Sequence, residues 1–221
     1  MGPQPHLDVP SSYLDGFAAA VTAGMADAAT FGTRNLGELS VFAQQQLGPP
    51  PGADVQKGEL VELHKIADAR TQQQTDASSW FAKHGHRDMW QPYMKDYEQR
   101  VGKDQATAGY ALLERASNLT EQATSDAKQR YARMRPFNVD PTLKVPISRP
   151  DNDSYPSGHS SLAFSAALVL SSLMPDRKAE LMNAAAQVGY SRLVGSVHFP
   201  SDVMAGARIA ALATGVVLAR K

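Results

Sequence analysis

Eight residues in three short segments of this chain could bind and attack an anion: Lys128 and Arg135, then Ser157, Gly158 and His159, then Arg192, His198 and Asp202. Lys128 and Arg135 stand seven residues apart, which is two turns of a helix, so a continuous helix would project both from one face with Arg135 at its end. Taken alone, that pair reads equally well as a solvated basic face. In Pro156-Ser157-Gly158-His159 a proline and a serine precede an apolar run, the pattern of a helix start with Ser157 as N-cap. The free N–H groups and macrodipole of such a start attract an anion. Gly158 keeps a side chain out of its way, and His159 falls in the first turn. In the third segment Arg192 brings a fork of donors suited to phosphate. His198 lies just before Pro200, a residue favoured at the first helical position, and Asp202 follows four residues later. A carboxylate there would hold one imidazole nitrogen and leave the lone pair of the other outward.

Three cations, a helix N-terminus, two histidines and an orienting carboxylate suit phosphoryl transfer through a covalent phosphohistidine. In that scheme cations and backbone donors hold the equatorial oxygens of the transition state. His198 attacks phosphorus, and His159 protonates the leaving oxygen and then deprotonates the water that hydrolyses the intermediate. The scheme needs neutral His198 together with protonated His159, hence a bell-shaped rate profile on the acid side, and no metal.

The elements that must position these residues read as helices. Helical patterns cover residues 12–30, 36–47, 55–82 and 104–134, the last with apolar side chains at Leu112, Ala116, Leu119, Ala123, Ala127 and Tyr131. Pro136, Pro141, Pro146, Pro150 and Pro156 keep the next stretch out of a helix, and residues 137–155 are the expected lip of the pocket. Helices resume at 158–174, 177–194 and 200–219. Alternating runs of strand length are nearly absent, so the expectation is an all-α, single-domain helical bundle. Gly48-Pro49-Pro50-Pro51-Gly52 is a break that no helix crosses.

Lys128-x6-Arg135-Pro136, Pro156-Ser157-Gly158-His159 and Ser191-Arg192-x5-His198-x3-Asp202 resemble all three motifs of the type 2 phosphatidic acid phosphatase (PAP2) superfamily, which also contains vanadium haloperoxidases and lipid phosphatases. The branch it most resembles is the bacterial class A non-specific acid phosphatases, on the further likeness of Tyr131-Ala-Arg-Met-Arg-Pro-Phe137, Ser154-Tyr155 and the proline-rich 47–51 stretch. The resemblance implies a PAP2-type domain over 36–221, with 1–35 an unassigned N-terminal arm. It implies an acid phosphatase acting on small phosphomonoesters, with His198 as nucleophile, His159 as general acid and base, and Asp202 as partner of His198. Lys128, Arg135, Ser157, Gly158 and Arg192 would bind phosphate. It implies no cofactor or metal, with vanadate as an inhibitor, and export to the periplasm or beyond as a possible homo-oligomer. Two positions depart from the class A pattern: Asp153 stands where glycine is usual and Ser160 where threonine is, which puts substrate range in doubt rather than chemistry. The same motifs are compatible with a soluble phosphatase of lipid or prenyl (di)phosphates, a haloperoxidase, or a phosphate-binding protein without turnover.

Composition narrows the partners. Of 221 residues 22 are basic and 22 acidic, which argues against a general nucleic-acid binder. The charge is local: residues 126–150 hold six basic and two acidic side chains, residues 1–60 two basic and six acidic. The absence of cysteine excludes disulfides and thiol chemistry. No apolar run of 18 uncharged residues occurs; the nearest, residues 203–219, contains Arg208 and reads as a core helix, so no membrane span is expected. The first residues lack the basic start of a signal peptide. His84-Gly85-His86 lacks a convincing third metal ligand and reads as surface histidines. His64 reads as part of a polar helix face, and Trp80, Trp90 and Tyr93 as packing between helices.

Overall fold

The computed structural model describes residues 4–86 and 88–220; residues 1–3, Arg87 and Lys221 lie outside that description. Ten α-helices are described: α1 Ser11–Phe31, α2 Leu39–Leu47, α3 Ala53–Ala69, α4 Gln72–His84, α5 Gln91–Val101, α6 Lys103–Tyr131, the single turn α7 Pro136–Val139, α8 Gly158–Leu173, α9 Lys178–Val194 and α10 Pro200–Leu218. No strand occurs among the described residues, and the all-α expectation holds.

Helices α8, α9 and α10 are buried along most of their length, as their Ala-, Leu- and Val-rich sequences dictate. They pack on one another, α6 lies against α8 and α10, α4 against α9, and α1 runs along α10. Phe17 and Phe164 stack between α1 and α8, with ring centroids 5.0 Å apart. Small residues set the closest approaches. A Cβ on Gly24 would come within 2.2 Å of the Arg208 carbonyl oxygen, so α1 lies on the backbone of α10. A Cβ on Gly206 would come within 2.5 Å of the Ser157 carbonyl oxygen, so α10 touches the start of α8.

Helix α5 and the single turn α7 fall where the sequence reading had no helix, and two helix boundaries differ from it. The pattern over 55–82 is broken at Arg70 and Thr71, both extended, because Thr71 opens α4 with a reciprocal capping box to Gln74. Arg70 crosses to the carbonyl oxygens of Val194 and Lys144, each at 2.9 Å, and ties the end of α9 to the segment between α7 and α8. The long helix ends at Tyr131 rather than 134. Ala132 adopts the left-handed conformation, φ 44°, and its N–H closes on the Lys128 carbonyl.

The expectation of no membrane span is also corrected. Helix α10, 19 residues, is long and apolar enough to cross a membrane; one arginine among 19 residues does not disqualify it. In this structure 78% of its apolar window is buried by protein.

Gly206→Ala should destabilise the fold by about 1–3 kcal/mol, because the methyl group meets backbone on α8. Gly58→Ala, in the exposed interior of α3 with open space around it, should stabilise by about 1 kcal/mol. Denaturant titration of both variants checks the pair, and equal effects would contradict the close approach.

Candidate active site

The start of α8, the end of α9, the start of α10 and the segment after α6 meet at one place. Beyond Ala132 the backbone is extended, so Arg133 and Arg135 point inward together and Met134, 61% exposed, is thrown outward. Lys128 and Arg135 are therefore brought together by a left-handed helix end and an extended turn, not by two turns of one helix.

His198 lies 2% exposed at the head of α10. Its Nδ1–H donates to Asp202 Oδ2 at 3.2 Å, and its Nε2 accepts from Arg135 Nη1 at 3.0 Å. Asp202 is fully buried and takes four donors. Arg133 Nη1 donates to Oδ1 at 2.7 Å, while Ser154 Oγ at 2.5 Å, the Phe199 N–H at 2.8 Å and His198 Nδ1 converge on Oδ2. Burial raises the Asp202 carboxyl above the usual carboxylate range, and these donors, Arg133 foremost, oppose that rise by favouring the carboxylate. The Phe199 bond is also the cap of α10, so one carboxylate starts the helix and orients the imidazole.

Arg135 donates from Nε to the Asn152 carbonyl at 2.8 Å and from Nη1 to the Val197 carbonyl at 2.8 Å; Lys128 donates to the Asp153 carbonyl. Arg192 differs from both. It is 2% exposed, and its Nε and Nη1 have no hydrogen-bond partner among the described residues. An unpaired buried guanidinium is costly, and an anion supplied from outside would relieve it. Ser157 caps α8, its Oγ accepting from the Ser160 N–H at 3.4 Å, and a Cβ on Gly158 would meet open space.

Burial depresses all three cations, and the charge of Arg135 depresses the other two further. Burial, then the charge of Arg135, lowers Lys128 to about 7 and Arg192 to about 9; burial lowers Arg135 to about 10. Burial and the charges of Arg135, Lys128 and Arg192 hold His198 well below the usual imidazole range, so it is neutral. His159 is held at about 2 by burial, Arg192 and His86. Its Nε2–H donates to the Ala82 carbonyl at 2.9 Å, which leaves the lone pair on Nδ1. A protonated His159 before substrate arrives, as the sequence scheme required, is not what this environment favours.

All eight residues singled out from sequence border this site. Sequence reasoning gave no role to Arg133, Ser154, Asn152, Glu59 or His86. Arg133 bridges Asp202 and Glu59, at 2.7 and 2.8 Å, and lies 3.9 Å from the centroid of the Phe199 ring. Its signals in the sequence were the alternation Arg133-Met134-Arg135 and its place in the Tyr131–Phe137 run. His86, read as a surface residue, packs edge-on against His159 with centroids 4.3 Å apart. His84 bonds Asp88, and His64 bonds Asp140 at 2.9 Å. Among the described residues no group of three or more His, Asp or Glu is placed to hold a metal ion.

The sequence pattern of the PAP2 superfamily matches residues 107–220, just over half of the chain and all three segments. The chain belongs to the PAP2 superfamily. It is 27% identical over 215 residues to a non-specific acid phosphatase of Salmonella typhi, covering 91% of this chain and 84% of that protein. It is 36% identical over 104 residues to a non-specific acid phosphatase of Providencia stuartii, covering 45% of this chain and 40% of that protein. Against an acid phosphatase of Zymomonas mobilis it is 33% identical over 121 residues, 51% of this chain and 46% of the relative. In these last two relatives the match spans less than half of their length. Among solved structures the fold is similar to a bacterial vanadium-dependent iodoperoxidase (TM-score 0.67, 18% identity, 78% of this chain and 52% of that one). It is also similar to a transmembrane PAP2-type phosphatidylglycerolphosphate phosphatase from Bacillus subtilis (TM-score 0.59, 15% identity, 93% and 95%). The PAP2 fold thus occurs in a membrane-spanning protein.

Two outcomes test the site. Arg133→Met would strand the buried carboxylates of Asp202 and Glu59, and should cost about 3–5 kcal/mol in denaturant unfolding. Lys128 loses its charge as pH rises through about 7. Sulfate, a dianion throughout this range, should therefore bind more weakly above that pH by calorimetry, and Lys128→Arg should flatten the dependence.

Proposed function

We propose that this PAP2 protein is a metal-independent acid phosphatase that hydrolyses phosphomonoesters through a phosphohistidine. The observation that carries the reading is the buried Arg192 guanidinium with two unpartnered donor nitrogens, whose charge acts on both His198 and His159. An oxyanion of phosphate size fits that demand, and the first-turn N–H groups of α8 at Gly158 and His159 are further donors for it. The acid phosphatase relatives support the same class.

In this reading the phosphate oxygens take donors from Arg192, Arg135, Lys128 and the α8 start. Arg135 Nη1 turns from His198 Nε2 to the ligand and frees the lone pair. Nε2 attacks phosphorus as the bond to the leaving oxygen breaks, while Asp202 holds Nδ1–H and stabilises the imidazolium. The proton on the leaving alcohol comes from His159. Because His159 is held at about 2, that proton arrives with the substrate: a monoanionic ester and neutral His159 carry the same protons as a dianion and an imidazolium. His159 then accepts a proton from the water that attacks the phosphohistidine, and inorganic phosphate leaves. Positive charge at the transition state is supplied by side chains, which is why no metal or cofactor is needed and vanadate should inhibit. Export from the cytoplasm belongs to the same proposal, and cell fractionation tests it.

A lipid or prenyl phosphate as substrate is a second reading, favoured by the length and apolarity of α10. Comparing turnover of an aryl phosphate with that of a prenyl phosphate in detergent decides between them.

His198→Ala should abolish turnover of an aryl phosphate, and the native enzyme should keep its rate in chelator and lose it to vanadate. The rate should also fall above about pH 6, where a phosphomonoester gives up its second proton. Full activity in His198→Ala, or loss in chelator, would overturn the mechanism.

A further inference from the structure

A groove of about 220 Å³ runs away from the site between α6 and α8, lined by Glu121, Ser125, Lys128, Asn152, Gly158 and Leu162. His198, Arg192, Asp202, Ser157 and Arg135 are buried, whereas Lys128, Gly158 and His159 are partly exposed and Asn152 is exposed. Three of those four more accessible residues line the groove, so the site opens into it. The His159 ring itself faces Ala82 and His86 and does not line the groove, but Gly158, its neighbour in the first turn of α8, does, and with Lys128 it forms the end of the groove nearest the phosphate donors. Glu121, Ser125 and Lys128 share one face of α6, and the seven residues from Lys128 back to Glu121 span about 10 Å. The groove therefore has a cationic end, where the phosphate is held, and a carboxylate about 10 Å away.

Resting on the phosphatase reading above, we propose that this groove is the leaving-group subsite. Glu121 makes it select phosphomonoesters whose far end is neutral or cationic over those that carry a second phosphate. A second phosphate two turns from the first would meet Glu121 with like charge; an ammonium group there would meet it with opposite charge. Glu121 is exposed, so the discrimination is modest and screened by salt.

The test is the ratio of kcat/KM for an aminoalkyl phosphate to that for an alkyl bisphosphate of equal length, with phenyl phosphate as a reference without a distal charge. The native enzyme should favour the amino ester. Glu121→Gln should lower the ratio about threefold to tenfold, the size expected of an exposed charge acting on both substrates. Glu121→Lys should lower it further, and added salt should compress all three ratios toward one another. A ratio unchanged in both variants, with phenyl phosphate still hydrolysed, overturns the subsite. Failure of the native enzyme to hydrolyse any of the three esters overturns the phosphatase reading and the subsite with it.

Discussion

The burial of three cations, Lys128, Arg135 and Arg192, around one site is the constraint on which this molecule's arrangement depends. Each is withdrawn from water, and the charge of Arg135 lowers the proton affinity of both others. Left free, such side chains would swing outward to solvent. They are held by elements with nothing to gain from moving: α9, buried along its second half, carries Arg192, while carbonyls of Asn152, Asp153 and Val197 grip Arg135 and Lys128. The apolar burial of α8, α9 and α10 offsets the electrostatic cost, and a bound anion would relieve it further.

A second cluster of opposite sense stands behind the first. Asp202 and Glu59 share Arg133, and Asp202 accepts the Nδ1–H of His198 and so fixes the orientation of its ring. Because Asp202 also caps α10 through the Phe199 N–H, the carboxylate cannot drift from the imidazole without unwinding the helix start. Gly206 brings that turn of α10 against Ser157, so the second and third segments keep their distance through backbone contact. Fold and site are the same construction here: the helix caps are the positioning devices.

Much of this was legible in the sequence where the physics is local. Ser157 as cap, Pro200 at the first position of α10 and Asp202 one turn from His198 depend on neighbours three or four residues away, and the structure has them so. The break at Thr71 was equally local, since Thr71 and Gln74 form a capping box, but polar helical periodicity on both sides masked it. The end of α6 was not legible, because an alanine in the left-handed region has no propensity signal. Nor was the pairing of His86 with His159 or of Arg133 with Glu59, contacts between residues more than 70 positions apart. Arg208 hid the apolar length of α10, because a charge in a sequence window says nothing of its partner; here Asp27 on α1 takes it at 2.8 Å.

By itself the sequence determined the all-helical class, the superfamily and the eight residues that border the site. Those follow from periodicity, from helix punctuation and from motifs whose internal spacing is short. Tertiary structure decided which donors are already taken and which are not. Arg135 and Lys128 are gripped by carbonyls and Arg192 is not; His159 is neutral, its Nε2–H given to Ala82; the opening leads along α6 toward Glu121. The reason is physical: a residue's type fixes what it can donate or accept, whereas its proton affinity and its unmet bonds depend on burial and on partners that only packing brings within reach.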